Sequence, residues 1–287
     1  MSKLVSSRQG VVRSRGGNMV VLLVLLLFGA FMIMPFVYAV AQAIKPMEEI
    51  FEYPPKFFAR NPTFENFSAL SQATNSLWIP FARYLANSTF VTIVGTLLNV
   101  VLSSMAAFPL SMYTFPGKQK LSRIVTVALL FAGPVTALPL YIIMAKLQLI
   151  NTPWAVVMPA VAAPLGLFLM KNFMLQLNRA LVEAATVDGA SIFRIFRSII
   201  LPNVKPAVFT LVIFTFQNLW NSTGGAYLYN EKIKLLPTLL SQIATSGISR
   251  SGVGAAASVV LMIPPCLLFI VLQSRVIETM ASSGIKE

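Results

Sequence analysis

The 287-residue chain contains no histidine and a single cysteine, Cys266. Those two absences remove a disulfide framework, a Cys/His zinc site and any histidine-based general acid or base. Charge is scarce too: Asp, Glu, Lys and Arg together make up 11% of the residues, whereas 56% are hydrophobic. A mean hydropathy of +0.76 belongs to a chain that needs a bilayer, and not to an ordinary soluble domain. Basic residues outnumber acidic ones 22 to 9. No Lys/Arg-rich run with interleaved aromatics stands on a polar background, so this excess does not describe a nucleic-acid surface. The chain also lacks a G-x-x-x-x-G-K-[ST] phosphate loop and has no evident ATP site of its own; power for any transport would come from a partner.

Because a charge at the bilayer centre is costly and a spanning helix needs about 20 mostly apolar residues, the charges serve as rulers. Six charge-free windows reach 18 or more residues: 16–44, 84–117, 124–145, 147–170, 206–230 and 251–274. They predict an all-α membrane protein of six transmembrane helices. Window 66–82 is also uncharged, but it is rich in Asn, Ser, Gln and Thr and is placed outside the membrane. An even number of spans puts both termini on one side. With that side cytoplasmic, 14 Lys and Arg fall inside and 8 outside, the bias expected for cytoplasmic N- and C-termini. The first apolar stretch is too long for a signal-peptide core and runs into Met34-Pro35-Phe36 without an Ala-x-Ala site, so it reads as a retained anchor. Residues 1–15 then form a cytoplasmic tail and 16–287 a single transmembrane domain. Residues 45–82 make a small folded outer cap, 231–250 a second outer loop, and 171–205 the longest inner loop.

Inside the spans, Pro35, Pro109, Pro134, Pro139, Pro159, Pro164, Pro264 and Pro265 each remove a backbone donor. Packing irregularity is one account of them; a third helix broken by Gly133-Pro134 and Pro139 beside a pathway is the other. Asn87, Ser88 and Asn99 in the second span are explained by helix–helix hydrogen bonding. The group Gln217, Asn218, Trp220 and Asn221 is denser. Amides bond hydroxyls and an indole stacks on a sugar ring, so the group fits either a hydrated solute path or a helix end at the membrane interface. None of the six windows holds Asp, Glu, Lys or Arg, which disfavours both an intramembrane enzyme and a proton-coupled carrier. No catalytic or metal-binding residues are expected. Sodium held by unwound backbone keeps a secondary transporter or channel for a small polar solute as the alternative.

The inner loop is the most informative stretch. Glu183-Ala184-Ala185 are helix formers, Asp188-Gly189 can end one helix and cap the next, and Ile192, Phe193, Phe196, Ile199 and Ile200 recur at helical spacing. Two short helices joined at Gly189 result. The second carries Arg194 and Arg197 on a basic face, and Pro202 stops it before the fifth span. A helix lying on anionic lipid is the plain physical account of such a segment.

Glu183-Ala184-Ala185, three residues, Gly189, then Ile199 and Leu201-Pro202 resembles the EAA loop of permease subunits in binding-protein-dependent ATP-binding-cassette (ABC) importers. Asp188-Gly189-Ala190 is similar to the carbohydrate branch. So are Pro62-Thr63-Phe64-Glu65-Asn66-Phe67, Asn87-Ser88, Phe115-Pro116-Gly117, Leu149-Ile150-Asn151-Thr152, Gln273 and Gly284-Ile285-Lys286, a pattern most similar to the smaller permease subunit of maltose-type systems. The resemblance implies a type I ABC importer permease fold in a bacterial or archaeal cytoplasmic membrane. It also implies a second, homologous permease, two ATPase subunits that bind ATP and Mg, and an extracellular or periplasmic solute-binding protein. This chain itself would carry no cofactor and would touch lipid, with no nucleic acid. Glu183, Ala184, Ala185, Asp188, Gly189, Leu201 and Pro202 match the loop that docks on the ATPase. Asn218, Trp220 and Asn221 are candidates for the solute pathway, although such pairs hold the sugar mainly on the other subunit. Family members often carry an acid after the Trp-Asn pair, where this chain has Ser222 and Thr223.

Overall fold

The computed structural model describes residues 15–75, 79–131, 133–245 and 251–283. The expected tail up to residue 14, residues 246–250 of the second outer loop, and Gly284-Ile285-Lys286 lie outside the described residues. Among the described residues every regular element is helical. In chain order these are α1 (Arg15–Ala43), α2 (Met47–Ile50), α3 (Glu65–Asn75), α4 (Phe81–Met112), α5 (Lys118–Ala128), α6 (Gly133–Lys146), α7 (Trp154–Val161), α8 (Pro164–Leu175), α9 (Ala180–Val187), α10 (Ile192–Ile195), α11 (Leu201–Asn203), α12 (Lys205–Trp220), α13 (Leu236–Thr245) and α14 (Ser251–Ser283). A π-helical turn, Phe196–Ile200, joins α10 to α11.

Among the described residues four segments, Gly16–Ala43, Phe81–Met112, Trp154–Leu175 and Ser251–Ser274, are long and apolar enough to cross a bilayer, and two bent helix pairs bring the number up to six if each is one span. The third window holds the first pair: α5 and α6 meet at 112°. Gly133-Pro134 opens α6, where a missing N–H is harmless, and Pro139 lies within the helix without ending it. In the fifth window α12 stops at Trp220, and the rest turns through Gly224 and Gly225. Absence of charge therefore overestimated this span, because the loop beyond it is uncharged as well.

Helix α4 is the mast of the bundle. Its 32 residues extend about 48 Å and pack against α7, α8 and α12. The packed face carries Ser88, Thr92, Thr96, Asn99 and Ser103, all buried and mostly small, so the helices approach closely. Gly166 of α8 is required there: a Cβ on it would lie 2.5 Å from Ser103 Oγ and 2.9 Å from Asn99 Oδ1. Pro164, which has no N–H, separates α7 from α8 and leaves the Ala160 carbonyl without its helical donor. Asn99 Nδ2 donates to that carbonyl at 2.8 Å and to Val161 O at 3.3 Å, while Thr215 Oγ1 of α12 donates to Asn99 Oδ1 at 3.1 Å. One amide thus ties three helices together at a kink.

At the end of the bundle where α1 finishes and α4 begins, the segment after α1 folds into the expected cap. Asn66 Nδ2 donates to the carbonyls of Ala43 and Lys45 at 2.9 and 2.7 Å, closing the C-terminus of α1. Thr63 N donates to Ile44 O at 2.8 Å, and the Glu49 carboxylate accepts the N–H groups of Arg60 and Asn61 at 2.8 Å each. Buried Lys45 donates to the carbonyl of Lys56. Helix α3, from the polar window, packs on α14 without spanning.

A second clasp at this end holds the α12–α13 connection against α4. Tyr84 OH donates to Glu231 Oε1 at 2.8 Å, Lys234 Nζ lies 2.6 Å from Glu231 Oε2, and Asn87 Nδ2 donates to the carbonyls of Lys232 and Lys234 at 3.0 Å each. Burial pushes the Glu231 carboxyl upward, but hydrogen bonds from Lys234 and Tyr84 and the Lys234 charge outweigh it and hold the group below its ordinary range. A lowered folded pKa means that the contribution is present above the unfolded value and is lost as pH falls through the folded value. Hydrogen-exchange protection of residues 231–236, the observed rate taken relative to the intrinsic rate at each pH, should therefore fall as pH drops below the usual carboxylate range. In Glu231→Gln the same segment should exchange faster at neutral pH and lose that pH dependence.

Candidate functional site

At the opposite end of the bundle the 171–205 segment is built as two capped helices. Asn178 Oδ1 accepts the N–H of Ala180 at 3.0 Å and starts α9. Val182 is buried and Ala185 half-buried, while Glu183 and Ala184 are exposed. At its C-terminus Gly189 N donates to Thr186 O at 3.1 Å and Ala190 N to Ala185 O at 3.0 Å, a Schellman pair that needs the left-handed φ of +75° found at Gly189. A Cβ at Gly189 would meet nothing within 4 Å, so glycine is required there by backbone conformation and not by space.

Asp188 ends α9, its N–H donating to Ala184 O at 3.0 Å, but it does not cap the next helix. Ser191 does, accepting Arg194 N at 3.3 Å. Pro202 does not stop that helix either. The backbone passes through the π-turn, in which Leu201 N donates to Phe196 O, and the helix runs on to Asn203 before meeting α12 at 80°. Ile195, Phe196, Ile200 and Val204 are buried among Phe108 and Met112 of α4, Met170 and Met174 of α8, and Ala207 and Leu211 of α12. The Phe108 and Phe196 rings lie 5.6 Å apart. Ile192 and Phe193, which recur at helical spacing with Phe196, Ile199 and Ile200, are 64% and 63% exposed because α10 begins beyond the edge of this core. With Val187 at 88% they form an apolar surface next to exposed Arg194 and Arg197. Leu201 is half-buried and Pro202 exposed. The loop is thus seated firmly on three helices and presents an unpartnered apolar and basic face.

The amide group lies at the far end of α12. Asn218 and Asn221 line an open cleft of about 860 Å³, together with Gln217, Ser222, Thr223 and Tyr227. Gln217 and Asn221 also border a second cleft of about 660 Å³ on the α14 side, which includes Ser258 and Cys266. Trp220 lies in neither. It is buried, its ring stacks on Phe216 at 5.9 Å, and its Nε1 donates to the Leu261 carbonyl at 3.0 Å. That carbonyl is free because its helical donor would be residue 265, a proline. Gln217 and Tyr227 are among the lining residues beyond the pathway candidates Asn218, Trp220 and Asn221. Gln217 was visible as the fourth member of the amide group, whereas nothing local to Tyr227 marks it.

The family of binding-protein-dependent transport system inner membrane components matches residues 18–281. Among curated relatives, arabinooligosaccharides transport system permease protein AraQ of Halalkalibacterium halodurans is 30% identical over 78% of this chain and 80% of its own length. Polygalacturonan/rhamnogalacturonan transport system permease protein YtcP of Bacillus subtilis is 30% identical over 81% of this chain and 79% of its own. Among solved structures, a chain of a bacterial ABC transporter involved in the import of the acidic polysaccharide alginate superposes with a TM-score of 0.75 at 20% identity, over 91% of this chain and 98% of that one. A chain of the MetNI methionine ABC transporter gives 0.53 at 19% identity, over 69% and 95%. These likenesses establish the fold of ABC-importer permeases. A match over nearly all of the described helices, with the capped loop at one end and the kinked bundle around α4, means that the chain belongs to the inner membrane components of binding-protein-dependent transport systems, as a permease subunit.

Proposed function

We propose that this permease conducts a sugar or oligosaccharide inward by alternating access, driven by ATP hydrolysis on separate ATPase subunits that dock on the 171–205 loop. The observation that carries this reading is the loop itself: it is fixed to α4, α8 and α12 by a buried apolar core, yet it exposes Val187, Ile192 and Phe193 to an aqueous side. A partner that grips this face moves the ends of three helices as one body, and through α12 it switches the accessibility of the cleft between α7 and α12. The printed substrates of the curated relatives and the uncharged amide and hydroxyl lining of the cleft support a carbohydrate as cargo. The loop side is then cytoplasmic, as are both termini. The cap side faces the solute-binding protein, and a second, homologous permease completes the pathway. ATP and Mg belong to the ATPase partners.

Gly189→Val forces a β-branched residue into the left-handed region at a cost of roughly 1–2 kcal/mol. Transport and solute-stimulated ATP hydrolysis should fall together while membrane insertion persists. Gly189→Asn, which tolerates that conformation, should retain most of both. Normal transport by the valine variant would remove the argument.

The two ends of the amide group should separate in a second assay. Asn218→Ala should lower transport with normal complex assembly. Trp220→Phe strands the Leu261 carbonyl and should lower the denaturation midpoint, at a cost of about 1–2 kcal/mol, without altering preference among sugars.

Orientation is tested by single cysteines in a Cys266→Ser background. A cysteine at Ser68 should react with an impermeant thiol reagent in intact cells and one at Ser198 should not. The opposite pattern would put the loop where no ATPase can reach it.

A further inference from the structure

The sequence singles out Leu149-Ile150-Asn151-Thr152, but neither the loop nor the cleft amides use it. In the structure Asn151 pins the segment that closes one side of the cleft. Its N–H donates to Tyr227 O at 2.8 Å, and its Oδ1 accepts the N–H groups of Tyr229 at 3.3 Å and Asn230 at 2.9 Å. Asn151 itself has a φ of +62°, a conformation that asparagine tolerates better than most residues. Between the two tyrosines, Leu228 is buried with Val91 and Leu219; Tyr227 is half-buried against the same cluster and Tyr229 is exposed. Tyr227 lines the larger cleft and stacks on Tyr141 of α6, with ring centroids 6.1 Å apart and planes 23° from parallel. Tyr229 is 58% exposed, and its hydroxyl lies near that of Tyr141.

Three phenols thus stand together, held by a fixed backbone, beside a cleft lined by Gln217, Asn218, Asn221, Ser222 and Thr223. Amides and hydroxyls satisfy sugar hydroxyls, and an aromatic face covers the apolar C–H face of a sugar ring. A tyrosine belt at the membrane interface would account for exposed phenols. It does not account for Tyr227 lining the cleft while stacked on a second ring, nor for the three hydrogen bonds from Asn151.

We propose that Tyr227, backed by Tyr141 and Tyr229 and positioned by Asn151, is a ring-stacking subsite at the mouth of the cleft that receives the sugar rings of the incoming oligosaccharide. This rests on the carbohydrate reading above. The test is uptake of arabinotriose, xylotriose, maltotriose and trigalacturonate by cells carrying the whole transporter, with its binding protein saturated. Tyr227→Leu, which keeps bulk but removes the ring, should lower uptake of the transported sugar roughly three- to tenfold and change the ratio between sugars, with the complex still co-purifying. Tyr227→Phe should restore most of the uptake. Asn151→Gly allows the same φ but removes the acceptor, and should shift the sugar ratio in the same direction; Asn151→Asp should not. Equal uptake by the leucine variant and the wild type would overturn the subsite and leave the carbohydrate reading standing. Equal losses in the leucine and phenylalanine variants would also overturn it, in favour of packing. Uptake of none of the four sugars by the wild type would overturn the carbohydrate reading, and the subsite with it.

Discussion

The backbone carbonyls that lose their regular helical donor to a proline are the constraint on which this bundle depends. In an apolar medium such a group has no water to turn to, and an unpaired carbonyl is costly. Pro164 removes the regular donor of Ala160 O, which keeps a 3.3 Å bond from Ala163 N, and Pro265 removes that of Leu261 O; each is met by a side chain from a different helix, Asn99 from α4 and Trp220 from α12. The same devices that bend the helices therefore join them. Thr215, bonded to Asn99 Oδ1, extends the connection from α4 through the α7–α8 kink to α12. Asn99, Thr215 and Trp220 thus act as ties between helices.

These ties give the molecule two ends with different work. At one end α4, α8 and α12 converge on Phe196, Ile200 and Val204, so the loop cannot shift without carrying the helices with it. At the other end the same α12 finishes in amides and hydroxyls beside the cleft. One helix thus links the face proposed to meet the ATPase to the residues proposed to line the path. The bend of 80° before α12 and the π-turn at Phe196–Ile200 keep the loop helix from merging into the span, so that it lies across the helix ends as a handle. Mechanical transmission by a rigid element with two arrangements needs no ionisable group in the membrane, which agrees with the absence of charge from the six windows.

Much of the architecture was legible in the chain. The desolvation cost of a charge is a property of each residue, so counting residues between charges located the four continuous spans and the two bent helix pairs. It overran on the fifth, because the turn after Trp220 is uncharged for a different reason: it is built from Asn, Ser, Thr and Gly. The coupling loop was legible because its Schellman turn is local, set by Gly189 within a few residues of α9. The cap of the following helix was misplaced by three residues, from Asp188 to Ser191, since both residue types can cap and only the path of the chain selects between them.

By itself, then, the sequence determined the number of spans, the capped loop between the fourth and fifth, and the existence of an amide-rich end to α12. All of these follow from the chemistry of neighbouring residues. Only the tertiary structure decided which way that end faces. Trp220 turns to a carbonyl 41 residues away on α14, Asn218 and Asn221 turn to the cleft, and Tyr227 meets both Tyr141 and Asn151. Such pairings join helices far apart in the chain, and they are set by where prolines leave carbonyls unpaired and where small residues let backbones close in, which no local pattern of side chains records.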